Sequence, residues 1–170
     1  MPAWLNGRAI ALLSKLIDEN NMELQSKQKG NLTELQCIAA CYKLGYSVSI
    51  PYGENSRYDF ILDIGTKLLR IQVKTSSNKK AIKNPSDAII FACRSTNVNS
   101  KGNTTHRYTK EQIDYFATYW EGKCYLVPVE ECSVTKTLWF NKPANNQKSL
   151  ISMAVDYELS KIIKKEVSNQ

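Results

Sequence analysis

One predicted strand, Lys67 to Lys74, carries polar side chains at alternate positions between apolar ones. Because side chains alternate between the two faces of a strand, Arg70, Gln72 and Lys74 share one side of it. Asp59 opens the preceding predicted strand, and a hairpin between the two strands would carry Asp59 towards the end at Gln72 and Lys74. The spacing therefore predicts that a carboxylate, an amide oxygen and an ammonium group meet at one end of a sheet.

Such a cluster suits the hydrolysis of a phosphodiester bond. A hard cation takes oxygen ligands, which the Asp59 carboxylate and the Gln72 side-chain oxygen could supply. The cation would polarise the phosphate and lower the pKa of a bound water, and Lys74 could orient that water or neutralise developing charge. Glu34, on a predicted helix upstream, could approach the same end and hold the metal directly or through water.

Each of these residues also has an ordinary structural interpretation. Asp59 could be a strand-end aspartate, and Gln72 and Lys74 could belong to the solvated face of an edge strand. Glu34 could satisfy the first turn of its helix. Asp63 shares a face with Asp59 and could be a second metal ligand, but we interpret it as a hairpin-turn aspartate. The order of these residues along the chain is what favours a site.

Apolar periodicity predicts the elements that must position these groups. An amphipathic helix is expected over residues 4–19, within a polar-ended extension of residues 1–28. A second helix is expected from Asn31 or Thr33 to about Leu44, with Gly45 ending it. The predicted strands are residues 47–51, 58–64, 67–74, 88–93, 123–127 and 138–140.

The remaining segments complete the predicted order of elements. Residues 94–108 are hydrophilic and are expected to form a mobile or functional loop. Thr109 can cap a helix that runs to about Tyr119, and the aromatic side chains of this helix would contribute to the core. Residues 149–166 form a predicted C-terminal helix. This order predicts a mixed sheet flanked by helices.

Composition favours some partners and argues against others. The 170 residues suit one α/β domain, and the net charge of +7, from 23 basic and 16 acidic residues, favours a polyanionic partner. No apolar run approaches the ~20 residues that span a bilayer, so no membrane partner is expected. No complete signal peptide is recognisable, so a cytoplasmic location is expected.

The cysteine and histidine content argues against several kinds of site. Five cysteines without a CxxC pair argue against a disulfide framework and against zinc. Cys37 and Cys41 are expected to be small core side chains on one helix. The single histidine, His106, excludes a multi-histidine metal site and argues against a Ser-His-Asp triad.

Taken in order, these residues resemble the PD-(D/E)xK nuclease superfamily. The resemblance is closest to the group I intron-encoded homing endonucleases in which glutamine replaces the acidic residue before xK. It covers roughly residues 29–130. The matching segments are Lys29-Gly30-Asn31-Leu32-Thr33-Glu34, Gly45-Tyr46, Tyr58-Asp59-Phe60, Ile71-Gln72-Val73-Lys74-Thr75, Tyr115-Phe116-Ala117 and Tyr125-Leu126-Val127-Pro128.

The resemblance implies a restriction-endonuclease-like α/β fold with an αβββαβ core. Residues 29–148 would form the nuclease core, residues 1–28 a helical extension, and residues 149–170 a helix packing on the same domain. The implied activity is a DNA endonuclease of homing or restriction type that uses Mg²⁺ or Mn²⁺ and acts as a homodimer or homotetramer.

The resemblance also implies roles for individual residues. Glu34, Asp59 and Gln72 would form the metal site, and Lys74 would position the water. Gln72 departs from the superfamily pattern because it is uncharged, which should weaken cation binding. The candidates for DNA contact are Arg57, Arg70, Ser76, Ser77, Lys79, Lys80, Lys101, Arg107 and Tyr108.

Two other functions are compatible with the same residues. A nuclease resembling the Holliday junction resolvases would use this site on branched DNA. A non-catalytic DNA-binding or inhibitor module on a decayed nuclease fold is suggested by Gln72, which stands where an acid is usual. The DNA-contact candidates likewise have an alternative interpretation as solvated loop residues.

Overall fold

The computed structural model describes residues 24–53, 55–78, 88–99, 102–142 and 151–168. Its helices are α1 (Ser26–Lys43) and α2 (Leu159–Ser168), with 3₁₀ turns at Val129–Glu131 and Ala154–Tyr157. Its strands are β1 (Ser47–Ser49), β2 (Phe60–Asp63), β3 (Leu68–Val73), β4 (Ser77–Asn78), β5 (Ala88–Ala92), β6 (Arg94–Asn99), β7 (Gly102–Arg107), β8 (Tyr115–Trp120), β9 (Lys123–Pro128) and β10 (Thr135–Trp139). The predicted helix at residues 4–19 lies outside the described residues.

A mixed five-stranded sheet in the order β1-β2-β3-β8-β9 forms the centre of the fold. Strand β3 runs parallel to β8, and the other neighbouring pairs are antiparallel. A second sheet has the order β10-β5-β4, and β6 and β7 form a separate two-stranded ribbon. The predicted mixed sheet with flanking helices is confirmed.

The β2–β3 hairpin closes through the turn that the sequence predicts. Ile64 donates a backbone hydrogen bond to the Lys67 carbonyl at 3.1 Å. Gly65 has φ of +85°, a conformation that glycine adopts at little cost. Asp63 Oδ1 accepts a hydrogen bond from the Gly65 N–H at 2.7 Å, so Asp63 is a turn aspartate, as expected.

The register of this hairpin decides where Asp59 lies. Phe60 pairs with Ile71, and the Asp59 N–H donates to the Ile71 carbonyl at 2.8 Å. Asp59, the residue before β2, therefore lies beside Gln72 near the end of β3. The prediction that folding the hairpin brings these two residues together is confirmed.

The central sheet has an apolar core on each face. The first core lies between the sheet and the two helices, and the second lies between the sheet and the β5–β10 strands. The buried residues of the first are Cys37, Cys41, Phe60, Leu62, Ile64, Leu69, Ile71, Val73, Tyr115, Ala117, Cys124, Leu126, Leu159, Ile162 and Ile163. Those of the second are Ile89, Phe91, Cys93, Ile113, Phe116, Tyr125, Val127, Val129, Leu138 and Ala154.

The helix predicted from Thr109 to Tyr119 is wrong. The chain turns at residues 110–112 and then forms strand β8. This strand is central, so Tyr115 and Ala117 are buried in the first core while Phe116 is buried in the second. A strand buried on both faces is apolar at consecutive positions, and this pattern imitates the spacing of a helix.

Other predicted boundaries also need correction. Residues 94–108, expected to form a loop, instead contain the paired strands β6 and β7. Helix α1 begins at Ser26 rather than at Asn31 or Thr33, after a Gln25 cap that exchanges hydrogen bonds with Gln28. The C-terminal α-helix begins at Leu159. Gly45, with φ of +84°, follows α1 as predicted.

All five cysteines are free thiols, and Cys37 and Cys41 are buried, as expected. Within the described ranges, no helix combines the length and apolar character needed to cross a bilayer.

Candidate active site

Asp59 is held in place by the backbone of the neighbouring strand. Its Oδ2 accepts hydrogen bonds from the Val73 N–H at 2.6 Å and from the Gln72 side-chain Nε2 at 2.6 Å. Gln72 Nε2 also lies 3.3 Å from the Val73 carbonyl oxygen. The carboxylate is therefore fixed at the end of β3 by two donors, with its second oxygen outside these bonds.

Gln72 does not lie on the solvated face of an edge strand. Strand β3 lies between β2 and β8, and the Gln72 side chain is only 8% exposed. Burying an amide is costly unless it is hydrogen-bonded, and Gln72 obtains that bond from Asp59. The position is therefore a buried polar contact between two adjacent strands.

Glu34 lies on α1 across a cleft from Asp59. The cleft has a volume of about 260 Å³, and both carboxyl groups line it. Gln72, Val73 and Thr75 line its sheet side. The structure thus brings three of the four predicted catalytic residues to one cavity.

Both carboxyl groups have raised pKa values. Burial raises the pKa of Glu34, and the negative charge of Asp59 raises it further. Burial also raises the pKa of Asp59, although the Val73 N–H, the Lys74 ammonium and the Gln72 amide each oppose that rise. The cleft therefore holds negative charge that its own hydrogen bonds do not fully compensate.

Lys74 extends the site beyond the cleft. Its backbone N–H bonds to the Ala117 carbonyl at 2.9 Å, which continues the parallel pairing of β3 with β8. Its Nζ lies 3.4 Å from the Tyr108 hydroxyl and 5.2 Å from the centre of that ring. Arg57 Cζ lies 4.4 Å from the same ring centre, and Phe116 packs against the ring edge-on. Tyr108 therefore contacts two cations beside the carboxylates.

Arg70 is placed differently from the other predicted site residues. Its guanidinium binds both carboxylate oxygens of Asp114 at 3.0 Å each, and it also donates to the Glu111 and Lys110 carbonyls. These bonds engage three of its nitrogens within the chain. The structure therefore separates Arg70 from the group around Lys74.

The remaining predicted DNA contacts fall into three groups. Ser76 is buried and its hydroxyl has no hydrogen-bond partner among the described residues, so it is not presented to a ligand in this conformation. Ser77 and Arg107 are exposed; Ser77 begins β4 and Arg107 ends β7. Lys79, Lys80 and Lys101 lie outside the described residues.

Two polar residues of the cleft were missed by the sequence analysis. Lys27 and Asn31 line it together with Glu34, because positions three and seven residues before Glu34 share its helix face. The signal was present in the sequence, but the predicted helix began too late to include Lys27. Correct placement of the α1 start would have revealed this face.

The donors in the cleft fit a divalent cation. Two partly buried carboxyl groups with raised pKa values and one amide converge there, and hard cations prefer oxygen ligands. The amide of Gln72 could present its oxygen instead of its NH₂ after rotation by half a turn. Within the part of the chain that the structure describes, no three His, Cys, Asp or Glu residues cluster, and the Gln72 amide lines the cleft where a third acidic side chain could stand.

A mixed sheet whose central hairpin carries a carboxylate, an amide and a lysine at one end defines a nuclease of the restriction-endonuclease-like class. The chain belongs to the PD-(D/E)XK endonuclease family, whose model matches residues 24–160. It is therefore a nuclease, with DNA as the substrate that the family implies. Nucleases of this family generally use divalent metal ions.

A solved structure with a similar fold is that of a bacterial homing endonuclease, I-Ssp6803I. The two share 22% sequence identity with a TM-score of 0.66, over 85% of this chain and 97% of the other. At this identity the similarity establishes the fold. No curated protein sequence matches the chain.

Proposed function

We propose that this protein is a Mg²⁺-dependent endonuclease that cuts duplex DNA, of the homing type. The observation that carries the proposal is the cleft in which Glu34 faces Asp59 and Gln72, with Lys74 beside it. Burial disfavours the ionised form of both carboxyl groups, and a bound cation would stabilise that form. The homing assignment is supported by the glutamine before Val73-Lys74 and by the similar fold of I-Ssp6803I.

Each residue has a separate task in this proposal. Asp59, Glu34 and Gln72 would hold Mg²⁺, with Mn²⁺ as a substitute. When bound, the cation supplies Lewis-acid polarisation of the phosphate and a more acidic water. Lys74 carries its ammonium next to the Asp59 carboxylate, where it can orient a water or neutralise charge on the phosphate.

Two further groups would keep the Lys74 ammonium in place and draw the DNA backbone to it. The Tyr108 hydroxyl lies 3.4 Å from Lys74 Nζ, and Arg57 packs on the Tyr108 ring. A cation over an aromatic face is restrained without losing its charge. Arg57 and Lys74 together therefore present positive charge beside the cleft, suited to two neighbouring phosphates.

The direct test is incubation of the purified protein with plasmid DNA in Mg²⁺ or in EDTA. We expect nicked and linear products with Mg²⁺, none with EDTA, and none from Asp59→Asn at equal concentration. Cutting by Asp59→Asn at the wild-type rate would refute the site assignment. Cutting in EDTA would refute the metal dependence while leaving the nuclease assignment intact.

A non-catalytic module is the second candidate function, because Gln72 Nε2 already donates a hydrogen bond to Asp59 Oδ2 without any cation. On that alternative, Mg²⁺ would not alter the melting temperature and no DNA form would be cut. A preference for four-way junctions over linear duplexes at equal concentration would instead favour a junction-resolving nuclease. Cleavage assays on both substrates separate these functions.

We also propose that the protein acts as a homodimer or homotetramer in the cytoplasm. Helix α1 presents Leu32, Leu35 and Tyr42 at 44%, 63% and 57% exposure on its outer side, an apolar stripe suited to burial. A small nuclease gains a longer target by binding DNA as a symmetric assembly. Sedimentation velocity of wild type and Leu35→Ser tests this proposal, with a shift of the variant to the monomer expected.

The packing of helix α2 bears on the boundaries of the domain. Leu159, Ile162 and Ile163 of α2 are buried in the first core, which supports one domain through the C-terminal helix. We therefore propose residues 29–148 as the nuclease core and residues 149–170 as a helical addition to it. Residues 1–28 would precede this core as a helical extension, whose residues 26–28 are continuous with helix α1 of the core.

A further inference from the structure

Strands β6 and β7 form an antiparallel ribbon that is separate from both larger sheets. The ribbon pairs six residues of each strand, from Arg94 opposite Arg107 to Asn99 opposite Gly102. Its described side chains are mostly exposed, so they contribute little apolar burial to its stability. An isolated two-stranded ribbon is marginally stable in water, which points to a partner that it contacts.

The charge of the ribbon indicates the kind of partner. Residues 94–107 contain two arginines, a lysine and a histidine, and no aspartate or glutamate. Arg94 and Arg107 lie directly opposite one another and both are exposed. Like charges at opposed positions destabilise a strand pair, so this arrangement favours a polyanion that compensates both. Among the described residues, neither arginine has an ion pair.

The register also separates the two faces of the ribbon. Opposed residues share a face, so Arg94 and Arg107 lie on one side together with the exposed pair Thr96 and Thr105. We call this the outer face. Ser95 belongs to the other face, where its hydroxyl accepts a hydrogen bond from Arg57 Nη1 at 3.3 Å.

The base of the ribbon is fixed to the candidate active site. Arg57, which bonds to Ser95, packs on the ring of Tyr108, the residue that follows β7. Tyr108 in turn contacts Lys74. The ribbon therefore extends from the same residues that we expect to contact the phosphates at the cut, and its outer face can lie along the same duplex.

We propose that the β6–β7 ribbon enters the major groove of duplex DNA and recognises base edges through its outer face. The major groove, about 12 Å wide, admits a two-stranded β-ribbon. Arginine can bond both acceptors of a guanine, and threonine can bond a base edge or pack on a thymine methyl group. This inference rests on the proposed function for its substrate and adds the element that confers sequence preference.

The test separates binding preference from cleavage. Wild type is used to select bound duplexes from a randomised DNA pool in EDTA, and cleavage of the selected duplex is then measured with Mg²⁺. We expect wild type to enrich a defined sequence. The Arg94→Gln/Arg107→Gln variant should lose preference at one or two guanine positions by about 5- to 150-fold. Thr96→Ala/Thr105→Ala should relax neighbouring positions by a smaller factor.

Matched controls distinguish recognition from general charge and from misfolding. Lys164→Ala/Lys165→Ala removes two exposed charges from α2, and Thr135→Ala removes an exposed strand threonine from β10. Both should retain the wild-type preference. The double glutamine variant should melt no lower than wild type, because it removes the Arg94–Arg107 repulsion. A lower melting temperature would count against this account of the ribbon.

Different experimental outcomes would refute base recognition by the ribbon and the proposed hydrolysis. If wild type selects no sequence, or if both ribbon variants select the same sequence as wild type, base recognition by the ribbon is refuted. If wild type selects a sequence but never cuts it with Mg²⁺, the ribbon inference stands and the proposed hydrolysis fails. A uniform loss of affinity with unchanged preference would assign the arginines to phosphates and refute base recognition.

Discussion

Strand β3 carries a polar cluster at each end, and the two clusters differ in how their charges are paired. At the start of the strand, Arg70 binds Asp114 through two hydrogen bonds of 3.0 Å. Burial would raise the pKa of Asp114, but the hydrogen bonds from the Arg70 side chain and backbone hold it below its usual value. At the other end, Asp59 and Glu34 both have pKa values above the ordinary range.

The difference distinguishes a structural charge from a functional one. The ion pair of Arg70 and Asp114 is formed within the chain. A backbone hydrogen bond from the Asp114 N–H to the Arg70 carbonyl at 2.9 Å also joins the turn before β8 to β3. Among the described residues, no arginine or lysine forms an ion pair with Asp59 or Glu34 as Arg70 does with Asp114. Carboxyl groups whose ionised form is disfavoured in a cavity are candidates for ligand binding. Substitutions in the cleft should therefore lower the cleavage rate and spare folding. Substitutions at the Arg70–Asp114 end should lower stability and spare cleavage.

The largest expected effect is on catalysis by Asp59→Asn. Loss of the charged metal ligand should lower the cleavage rate by about 10³-fold or more, comparable to loss of a principal electrostatic contact. The asparagine oxygen can still accept the bonds from Val73 and Gln72, so folding and DNA affinity should be retained. Single-turnover cleavage and equilibrium binding in Ca²⁺ measure the two quantities separately.

Asp114→Asn is the matched change at the other end of β3. It removes the charged partner of Arg70 and should cost about 2 kcal/mol of folding free energy, which corresponds to a fall of roughly 4–8 °C in melting temperature. Its cleavage rate per folded molecule should equal that of wild type. A stable Asp114→Asn protein with impaired cleavage would remove the distinction between the two ends.

The next largest effect is expected for Lys74→Met. This variant keeps the aliphatic stem and removes the ammonium, so the cleavage rate should fall by about 10²-fold. Tyr108→Phe should reduce the rate by less, because the ring that restrains Lys74 is retained while the hydroxyl at 3.4 Å is lost. Tyr108→Ala should lower the cleavage rate more than Tyr108→Phe does. Equal rates for both tyrosine variants would show that the ring does not position Lys74.

A smaller effect is expected for Gln72→Glu, and it acts on the metal rather than on the chemistry. The third carboxylate should lower the Mg²⁺ concentration needed for half-maximal cleavage by about tenfold, close to 1.4 kcal/mol. In EDTA the same variant should be less stable than wild type, because the buried glutamate would face Asp59 without a donor. A titration that leaves the Mg²⁺ midpoint unchanged would argue that residue 72 is not a ligand.

The sequence was informative wherever side-chain alternation and turn chemistry agreed. Alternation in residues 67–74 and the turn at Gly65 predicted the hairpin, and the hairpin predicted the proximity of Asp59 to Gln72. Glu34 was proposed from its order in the chain and from the family resemblance, and the structure places it in the same cleft as Asp59. The hairpin is a local feature, so one strand pair suffices to place Asp59 beside Gln72.

The features that were missed depend on contacts distant in the sequence. Strand β8 is buried on both faces, so its aromatic and apolar residues gave no alternation. The described side chains of the β6–β7 ribbon are mostly exposed and polar, so they gave no apolar pattern to reveal a strand. Arg70 shared a face with Gln72, but only the fold supplies Asp114, 44 positions away along the chain.

The smallest expected effect concerns stability without metal. The pKa of Asp59 is raised in the folded protein, so folding favours its protonated form. Below the unfolded-state pKa, Asp59 is protonated in both states and the folding free energy is unaffected. The folded protein loses stability as pH rises above that value and through the folded-state pKa.

In EDTA, Asp59→Asn should therefore melt a few degrees above wild type at about pH 8, and the gap should narrow towards about pH 4. Mg²⁺ should raise the melting temperature of wild type more than that of Asp59→Asn, since the variant lacks one of the two charged ligands. A gap that instead widened towards acidic pH would mean that the Asp59 carboxylate is stabilised by its hydrogen bonds. The cleft would then resemble the Arg70–Asp114 end of β3, already satisfied without a cation.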